Sequence, residues 1–331
     1  MQEKIKVSIP ESVSALLYKD AEEFHILKPD GGANLNALVN RIIVNFHKEF
    51  TADEEALEKR IAECLVGVCV PHKEELLCRL RAAVADKGRL PSAKEKSVAL
   101  SFKPTKHSEG AVFHIESALL KNESLSSFYR RLLTAYAGRS KTERERIVCR
   151  EVLELLESAR TLGAAVSLSL ENGFLYTGAS VYAVAAAKDE LFNYALFYSG
   201  GKNRTVRLAK IKNVSLLPEK SEIPEESAAL FARQVAAAAQ YPMYPSDDQP
   251  IKVKLTEKGK ELFGRIYLYR PTPTAIEGDV YTFECSANQL LYYFERFGAE
   301  ALILSPKKLG IFMRNYYYFA LKKYRSLYGK E

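Results

Sequence analysis

A cluster of basic residues follows an aromatic, strand-like segment in the middle of the chain. The segment LFNYALFYSGGKNRTVRLAKIKNV covers residues 191–214, and no acidic residue lies between Asn193 and Leu217. The cations of this stretch are Lys202, Arg204, Arg207, Lys210 and Lys212. Lysine and arginine side chains at this density can neutralise the phosphates of a polyanion. We therefore interpret the stretch as a candidate nucleic-acid-binding site.

Aromatic residues stand beside these cations. Tyr194 and Tyr198 lie on the same face of a regular strand, where each ring could stack on a base for about 1–3 kcal/mol. Arg204 and Arg207 are three residues apart, so a flat strand sends them to opposite faces and only a bend or bulge makes them converge. The alternative is that the apolar residues form a core and the cations are ordinary solvated positions.

The elements around the cluster suggest a small barrel. A helix, REVLELLESARTLG, precedes about five short strands, which are AAVSLSL, YTGASVYAVAAA, LFNYALFYS, RTVRL and KIKNVSLL. The turn signals ENG and GGKN separate them. This pattern predicts a strongly bent SH3- or Sm-like β-barrel over residues 151–223.

The N-terminal half contains a repeated pattern. Alternating Ile5, Val7 and Ile9 predict a strand, and a helix, a KPDGGAN break and a second helix capped by Asn34 follow it. The order recurs with the strand SVALSF, a helix containing VFHIESALL, a KNES break and a helix capped by Ser124. We predict two ribbon-helix-helix units, residues 1–50 and 93–150, joined by a helical spacer over residues 51–92.

The two predicted strands need partners, because a lone edge strand leaves its backbone groups unpaired. An antiparallel ribbon would form either within one chain or between two chains. Its outward side chains would include Lys4 and Lys6 from one strand but Ala99 and Ser101 from the other. The candidates for a secondary nucleic-acid contact are Lys4, Lys6, Arg130 and Arg131.

The basic run that ends this half has two interpretations. Arg130, Arg131, Arg139, Lys141, Arg144 and Arg146 would line a track for phosphates, or would simply solvate a pair of helices. The ribbon also has two interpretations. It would contact base edges of DNA, or it would serve only as a pairing scaffold with a solvated basic face.

Residues 224–331 predict a C-terminal α+β domain of split-βαβ type. Its predicted strands are IKVKL, IYLYRP, VYTFEC and EALILS, with two helices between them and a long helix from Pro306. The last helix contains FMRNYYYFALKKYRSLY, whose aromatic residues cannot all face one core. We expect this helix to form a homodimer.

Composition argues against an enzyme. All five histidines fall in the first 114 residues, and the five cysteines form no C-x-x-C pair and are expected to be reduced, half-buried thiols. Serine-elbow, Walker and dinucleotide-binding motifs are missing. We expect no catalysis, no metal and no cofactor.

Without an apolar run long enough for a membrane span or a signal peptide, the expected location is the cytoplasm. The net charge of +7 is compatible with a polyanionic partner.

The central segment resembles the signature of WYL domains, in which an aromatic strand and a turn precede an R-x-x-R-L-x-x-I pattern. The eponymous Trp-Tyr-Leu falls on Asn193-Tyr194-Ala195, and the three basic positions fall on Arg204, Arg207 and Lys210. FGAEALILSPKKL, residues 297–309, resembles the extension that follows many WYL domains. The resemblance covers residues 151–331.

The resemblance implies a ligand-sensing or nucleic-acid-binding module of bacterial regulators. Combined with ribbon-helix-helix units, it is similar to the WYL accessory proteins of type VI-D CRISPR–Cas systems. That similarity implies single-stranded RNA binding and enhancement of a CRISPR RNA-guided ribonuclease effector. The alternative is a ribbon-helix-helix DNA-binding transcriptional regulator whose WYL domain senses a ligand. The expected fold class is α+β multidomain in either case.

Overall fold

The structure, a computed structural model, describes residues 4–64, 75–76, 96–120, 123–189 and 191–329. These form two compact units, residues 1–150 and 151–331. The first unit ends at Arg150 and the second begins at Glu151. The predicted boundary at residue 92 and most of the predicted spacer beyond Cys64 lie outside the described residues.

Unit 1 consists of helices and one two-stranded ribbon. Its elements are β1 (Ile5–Pro10), α1 (Glu11–Glu23), α2 (Leu35–Cys64), β2 (Ser97–Phe102), α3 (Glu109–His114), a π-helical turn (Ile115–Leu119), α4 (Leu125–Gly138) and α5 (Lys141–Val148). The predicted end of the first repeat at residue 50 is wrong, since α2 runs on to Cys64. The sequence TADEEALEKRIAEC contains no glycine or proline to stop the helix.

The ribbon pairs within one chain. β1 and β2 are antiparallel, with Val7 opposite Leu100 and Lys6 opposite Ser101. Val7 and Leu100 are buried under the helices, whereas Lys6 and Ser101 are exposed. The strand-helix-helix order therefore occurs twice, and the pairing left open by the sequence is intramolecular. Assignment of the two repeats to the ribbon-helix-helix family stays a prediction.

The predicted helix caps are present. The Asn34 Oδ1 accepts a hydrogen bond from the Ala37 backbone N–H at 3.1 Å. The Ser124 Oγ accepts one from the Ser127 N–H at 3.2 Å. Each satisfies a backbone donor that the first helical turn leaves unpaired, which fixes where α2 and α4 begin.

Unit 2 begins with a helix and a five-stranded antiparallel sheet. The elements are α6 (Arg150–Leu162), β3 (Ala164–Leu170), β4 (Leu175–Ala186), β5 (Asn193–Ser199), β6 (Lys202–Arg207), a 3₁₀ turn (Leu208–Lys210) and β7 (Ile211–Lys220). The strand order is β6-β5-β4-β3-β7. β4 carries register shifts against both of its neighbours, which allow a sheet to bend. The five predicted strands are present, and closure into an SH3- or Sm-like barrel stays a prediction.

The rest of unit 2 is a β-α-β-β-α-β arrangement. α7 (Glu225–Ala237) and a 3₁₀ turn (Pro245–Asp247) lead to β8 (Ile251–Leu255), α8 (Glu257–Arg265), β9 (Pro273–Glu277), β10 (Val280–Phe283), α9 (Ala287–Phe294), a 3₁₀ turn (Gly298–Glu300), β11 (Ala301–Ser305) and α10 (Lys307–Tyr328). The antiparallel sheet has the order β11-β8-β10-β9, the split-βαβ topology that the sequence predicts.

One predicted strand of this region is wrong. IYLYRP forms no strand, and the strand at this place is β9, which begins at Pro273. Tyr269 adopts a φ of 63°, so the backbone leaves the extended conformation in the middle of the predicted strand.

α10 has a packed side and an open side. Met313 is buried, and the Tyr317 hydroxyl donates to the Glu295 carbonyl at 3.1 Å. Tyr318, Phe319 and Tyr324 are exposed. The aromatic residues of the helix thus do not share one core, as the sequence predicts. No helix in the described part of the chain is both long and apolar enough to cross a membrane.

The cysteines differ from the prediction of half-buried thiols. Cys149 and Cys285 are buried free thiols and Cys64 is an exposed one. Burial raises the pKa of the Cys285 thiol to about 12, so this side chain stays protonated and acts as a small apolar group. Cys69 and Cys78 lie outside the described residues.

Candidate nucleic-acid interface

The geometry of β6 decides where its arginines point. β6 pairs with β5 in an unbroken register that places Arg204 opposite Phe197 and Arg207 opposite Tyr194. Because no bulge interrupts the pairing, the two arginines lie on opposite faces of the sheet. The five predicted cations therefore do not form one groove, and the convergence of Arg204 with Arg207 is not observed.

Arg207 lies on an aromatic ring. Its guanidinium carbon is 3.3 Å from the centroid of Phe192, the residue immediately before β5. The side chain is half-buried. A cation over a ring face is held electrostatically while its edge still donates hydrogen bonds. This contact fixes the position of the Arg207 guanidinium beside β5.

Arg204 lies on a second aromatic group on the opposite face. Its guanidinium carbon is 5.8 Å from the Tyr176 ring centroid. The Tyr176 ring contacts those of Phe174 and Phe197 at centroid distances of 4.8 and 5.0 Å. Phe174 is 53% exposed. Phe174 and Tyr176 are not among the residues predicted from the sequence, although the ENG turn signal indicates that Phe174 stands at an exposed hairpin end.

The two predicted stacking tyrosines share a face, as expected, but that face is covered. Tyr194 and Tyr198 are half-buried and pack against a cluster that contains Leu196 and Phe231. Phe231 belongs to α7, which lies along this side of the sheet; the Gln234 side-chain amide of the same helix donates to the Thr205 hydroxyl at 2.8 Å. The tyrosines therefore form part of a packed layer and do not form an open stacking surface.

Three lysines of the cluster, Lys202, Lys210 and Lys212, are exposed to solvent. Lys210 ends the 3₁₀ turn after β6, and Lys212 follows it in β7. Lys202 stands at the other end of β6.

The fold adds one carboxylate that the linear stretch lacks. The Glu171 backbone N–H donates to the Lys210 carbonyl at 3.1 Å, which brings the turn between β3 and β4 beside the 3₁₀ turn. Burial raises the pKa of the Glu171 carboxyl, and the positive charges of Lys210, Arg207 and Lys212 oppose that rise. Glu171 thus reduces the positive potential of the cluster.

The secondary candidates in unit 1 divide into two groups. Lys4 and Lys6 are exposed on the ribbon, and Arg130 is exposed while its Nε donates to the Ser8 carbonyl at 2.6 Å. Arg131 forms ion pairs with Glu54 and Glu123 and lies 5.4 Å from the Phe50 ring centroid. Arg131 is therefore a structural residue, not an open phosphate contact.

Four further cations of the basic run form ion pairs, and Arg146 is exposed on α5. Arg139 contacts Asp53, Lys141 contacts Glu23 at 2.6 Å, Arg144 contacts Asp20 at 2.7 Å and Arg150 contacts Glu49 at 2.7 Å. The interpretation of this run as a phosphate track is therefore wrong for these positions. The acidic partners come from α1 and α2, more than 80 residues earlier in the chain.

The described residues contain no group of three or more histidine, cysteine, aspartate or glutamate side chains placed to hold a metal ion.

Comparison with known proteins finds a similar fold. A solved structure described as the crystal structure of a CRISPR Cas-related protein matches with a TM-score of 0.60 and 18% identity, over 99% of this chain and 95% of that one. The similarity shows a shared fold along nearly the whole chain. Proteasome accessory factor B/C of Arthrobacter aurescens matches with a TM-score of 0.23 and 15% identity, over 81% of this chain and 49% of that one. No family model matches the chain, and no curated protein matches its sequence.

Proposed function

We propose that this chain is a non-enzymatic accessory protein that binds single-stranded RNA and enhances a type VI-D CRISPR RNA-guided ribonuclease. The observation that carries the proposal is the cation set of unit 2. Exposed lysines there flank two arginines that lie on aromatic rings. Cations interleaved with aromatic residues are typical of single-strand binding surfaces.

The two kinds of side chain have separate roles in this proposal. Lys202, Lys210 and Lys212 neutralise phosphates and contribute affinity that falls with salt. Phe174, at the exposed end of the hairpin next to Tyr176, stacks on an unpaired base. A duplex hides its base faces, so stacking selects single strands, whereas phosphate contacts alone do not.

The similar fold supports the association with a CRISPR system in this proposal. The similar structure is that of a CRISPR Cas-related protein and spans nearly the whole chain. In our proposal the chain holds single-stranded RNA near the RNA-guided ribonuclease and thereby raises its effective substrate concentration.

Fluorescence anisotropy tests the binding step. A labelled RNA of about 30 nucleotides, the matching single-stranded DNA and a duplex DNA are titrated across a salt series. We expect preference for single-stranded RNA and a loss of affinity in Lys210→Ala with Lys212→Ala. Lys252→Ala with Lys254→Ala is the matched control, because those lysines are also exposed and two positions apart, on β8, where Lys254 forms an ion pair with Asp279. Equal losses in both variants would contradict the proposed site.

A cleavage assay tests the second step. The rate at which a type VI-D RNA-guided ribonuclease cleaves RNA is measured with and without the chain. We expect the chain to raise the rate, and the Lys210/Lys212 variant to raise it less than the Lys252/Lys254 variant. RNA binding without any rate change would leave an RNA-binding protein with a different partner.

A DNA-binding regulator is the second candidate function. The ribbon presents Lys4 and Lys6 to solvent from β1. The facing residues Ala99 and Ser101 offer little hydrogen-bonding information to base edges, which favours the RNA proposal. Duplex binding that persists at high salt and disappears in Lys4→Ala with Lys6→Ala would support the regulator instead.

We also propose that α10 forms a homodimer. Beyond Tyr317 the helix is exposed on every side and carries Tyr318, Phe319 and Tyr324, all more than half exposed. Such a concentration of exposed large aromatic side chains is typical of a subunit interface. Analytical ultracentrifugation should show a dimer that becomes a monomer in Phe319→Glu with Tyr324→Glu. A monomeric wild-type chain at every concentration would refute this part.

A further inference from the structure

Three tyrosine rings from separate segments of unit 2 meet in one cluster. Tyr241 follows α7, Tyr269 follows α8 and Tyr292 belongs to α9. The centroid distances are 6.4 Å between Tyr241 and Tyr269, 6.4 Å between Tyr241 and Tyr292, and 5.4 Å between Tyr269 and Tyr292. We call this group the tyrosine cluster.

The tyrosine cluster is not an ordinary core. Tyr292 is 47% exposed, and the other two tyrosines are half-buried. Tyr269 has a φ of 63°, a left-handed conformation that is rare for a bulky residue. Non-glycine residues held in this region concentrate at binding sites, where the surrounding structure keeps a side chain in a required direction.

A cation accompanies these rings, as in the basic cluster of β6. The exposed Arg296 has its guanidinium carbon 5.7 Å from the centroid of Tyr292 and 5.4 Å from that of Tyr293. Arg207 and Phe192 form the same combination beside β5. The C-terminal domain thus repeats the arginine-on-aromatic arrangement that marks the candidate interface.

The two arrangements are connected through Tyr194. This residue lies opposite Arg207 in the pairing of β5 with β6. It also packs against a cluster that contains Ala239, two residues before Tyr241. Burial raises the pKa of the Tyr241 phenol, and the nearby Tyr269, Tyr292 and the Asp189 carboxylate raise it further.

We infer that the tyrosine cluster, together with Arg296, is a second contact for single-stranded RNA that continues the surface formed by Lys210, Lys212 and Arg207. Tyr292 stacks on a base, and Arg296 binds an adjacent phosphate. This inference rests on the proposed function and extends the site from the β3–β7 sheet to the C-terminal domain.

The chain contains no tryptophan, which permits a direct test. Tyr292→Trp places one fluorescent reporter in the tyrosine cluster, and the same RNA of about 30 nucleotides is titrated while emission and anisotropy are recorded together. We expect emission to be quenched in parallel with the anisotropy change. Tyr18→Trp is the matched control, because Tyr18 is 51% exposed on α1 of unit 1, and its emission should not change.

Affinity measurements separate stacking from packing. Tyr292→Ala should weaken RNA binding about tenfold, and Tyr292→Phe should retain it, because the ring and not the hydroxyl stacks. Thermal melting of each variant checks that the fold is kept. Arg296→Ala should reduce the salt dependence of binding by about one phosphate contact.

The outcomes distinguish the two proposals. If RNA binds and depends on Lys210 and Lys212, but the emission of Tyr292→Trp does not respond and Tyr292→Ala binds normally, the tyrosine cluster only packs and this inference is wrong. If the wild-type chain binds no single-stranded RNA, the proposed function fails and the inference fails with it.

Discussion

Two basic segments of this chain look alike in sequence and differ in structure. In the run from Arg130 to Arg150 of unit 1, five cations form ion pairs with carboxylates, namely Arg131, Arg139, Lys141, Arg144 and Arg150. In the run from Lys202 to Lys212 of unit 2, the three lysines are exposed and the two arginines lie on aromatic rings. Most of the positive charge of the first run is held in ion pairs, whereas the lysines of the second run face solvent.

The difference shows what a cluster of cations in a sequence leaves undetermined. A phosphate binds where desolvating a cation costs little and no carboxylate competes for it. In unit 1 most of the partner carboxylates come from distant helices, and in unit 2 the turn between β3 and β4 brings Glu171 beside Lys210. The number of basic residues in a segment does not distinguish these cases.

The largest expected effect is the loss of stability that follows when the buried ion pair of unit 1 is broken. Asp20 is fully buried and accepts hydrogen bonds from the Arg144 Nε at 2.7 Å and from the Tyr136 hydroxyl at 2.9 Å. Arg144→Met leaves this carboxylate without its cation and should lower the free energy of unfolding by about 3–5 kcal/mol. Urea denaturation measures the loss.

Arg41→Met is the matched control for this change, because Arg41 is exposed on α2. It should alter stability by no more than about 0.5 kcal/mol. Equal stability of the two variants would mean that Arg144 is not structural, and the contrast between the two basic segments would disappear.

The second-largest expected effect is a pH dependence of the stability of unit 1, which RNA binding by unit 2 should not share. Burial lowers the pKa of His47 below its ordinary value of 6.5, and nearby His114 and Lys48 lower it further. The His47 Nδ1 lies 2.7 Å from the Ile43 carbonyl. The unfolded chain then binds a proton that the native state does not. Stability contributed by the neutral ring is therefore present above pH 6.5 and lost as the pH falls below it.

Urea denaturation at several pH values checks this. The free energy of unfolding should fall below pH 6.5 with a slope of up to about 1.4 kcal/mol per unit, and His47→Gln should flatten the slope. RNA binding should not change between about pH 6 and 8, because lysine and arginine stay charged there. An RNA affinity that changes with pH, together with a stability that does not, would contradict the assignment of the pH dependence to His47 in unit 1.

The smallest effect concerns Glu171. Removing its charge raises the positive potential around Lys210 and Lys212, so Glu171→Gln should increase RNA affinity about two- to fivefold at low salt. Glu219→Gln, which removes an exposed carboxylate elsewhere on β7, should have a smaller effect. Anisotropy titrations compare the two variants, and an equal gain would mean that only net charge matters.

Local patterns were sufficient to predict most of the elements. Alternating apolar residues gave β1 and β2, and Asn34 and Ser124 marked the starts of α2 and α4. The five strands of unit 2 and the β-α-β-β-α-β order also follow from periodicity and turn signals. These features depend on residues that are neighbours in the chain.

The arrangement of the candidate site depends on contacts between residues that are distant in sequence. The divergence of Arg204 and Arg207 follows from the unbroken pairing of β5 with β6, which the sequence left open. The cover over Tyr194 and Tyr198 comes from Phe231 in α7. The Arg144 guanidinium donates to the Asp20 carboxylate, which lies 124 positions earlier in the chain. No local pattern specifies such partners.

The most direct test of the central claim removes three exposed cations from each unit. Lys202→Ala, Lys210→Ala and Lys212→Ala form one variant, and Lys4→Ala, Lys6→Ala and Arg130→Ala form the other. The salt dependence of single-stranded RNA binding is measured for both and for the wild type. We predict that the slope of log affinity against log salt decreases by about 2 in the unit 2 variant only, because about three phosphate contacts are lost. A decreased slope in the unit 1 variant alone would contradict the claim and place the nucleic-acid site on the ribbon.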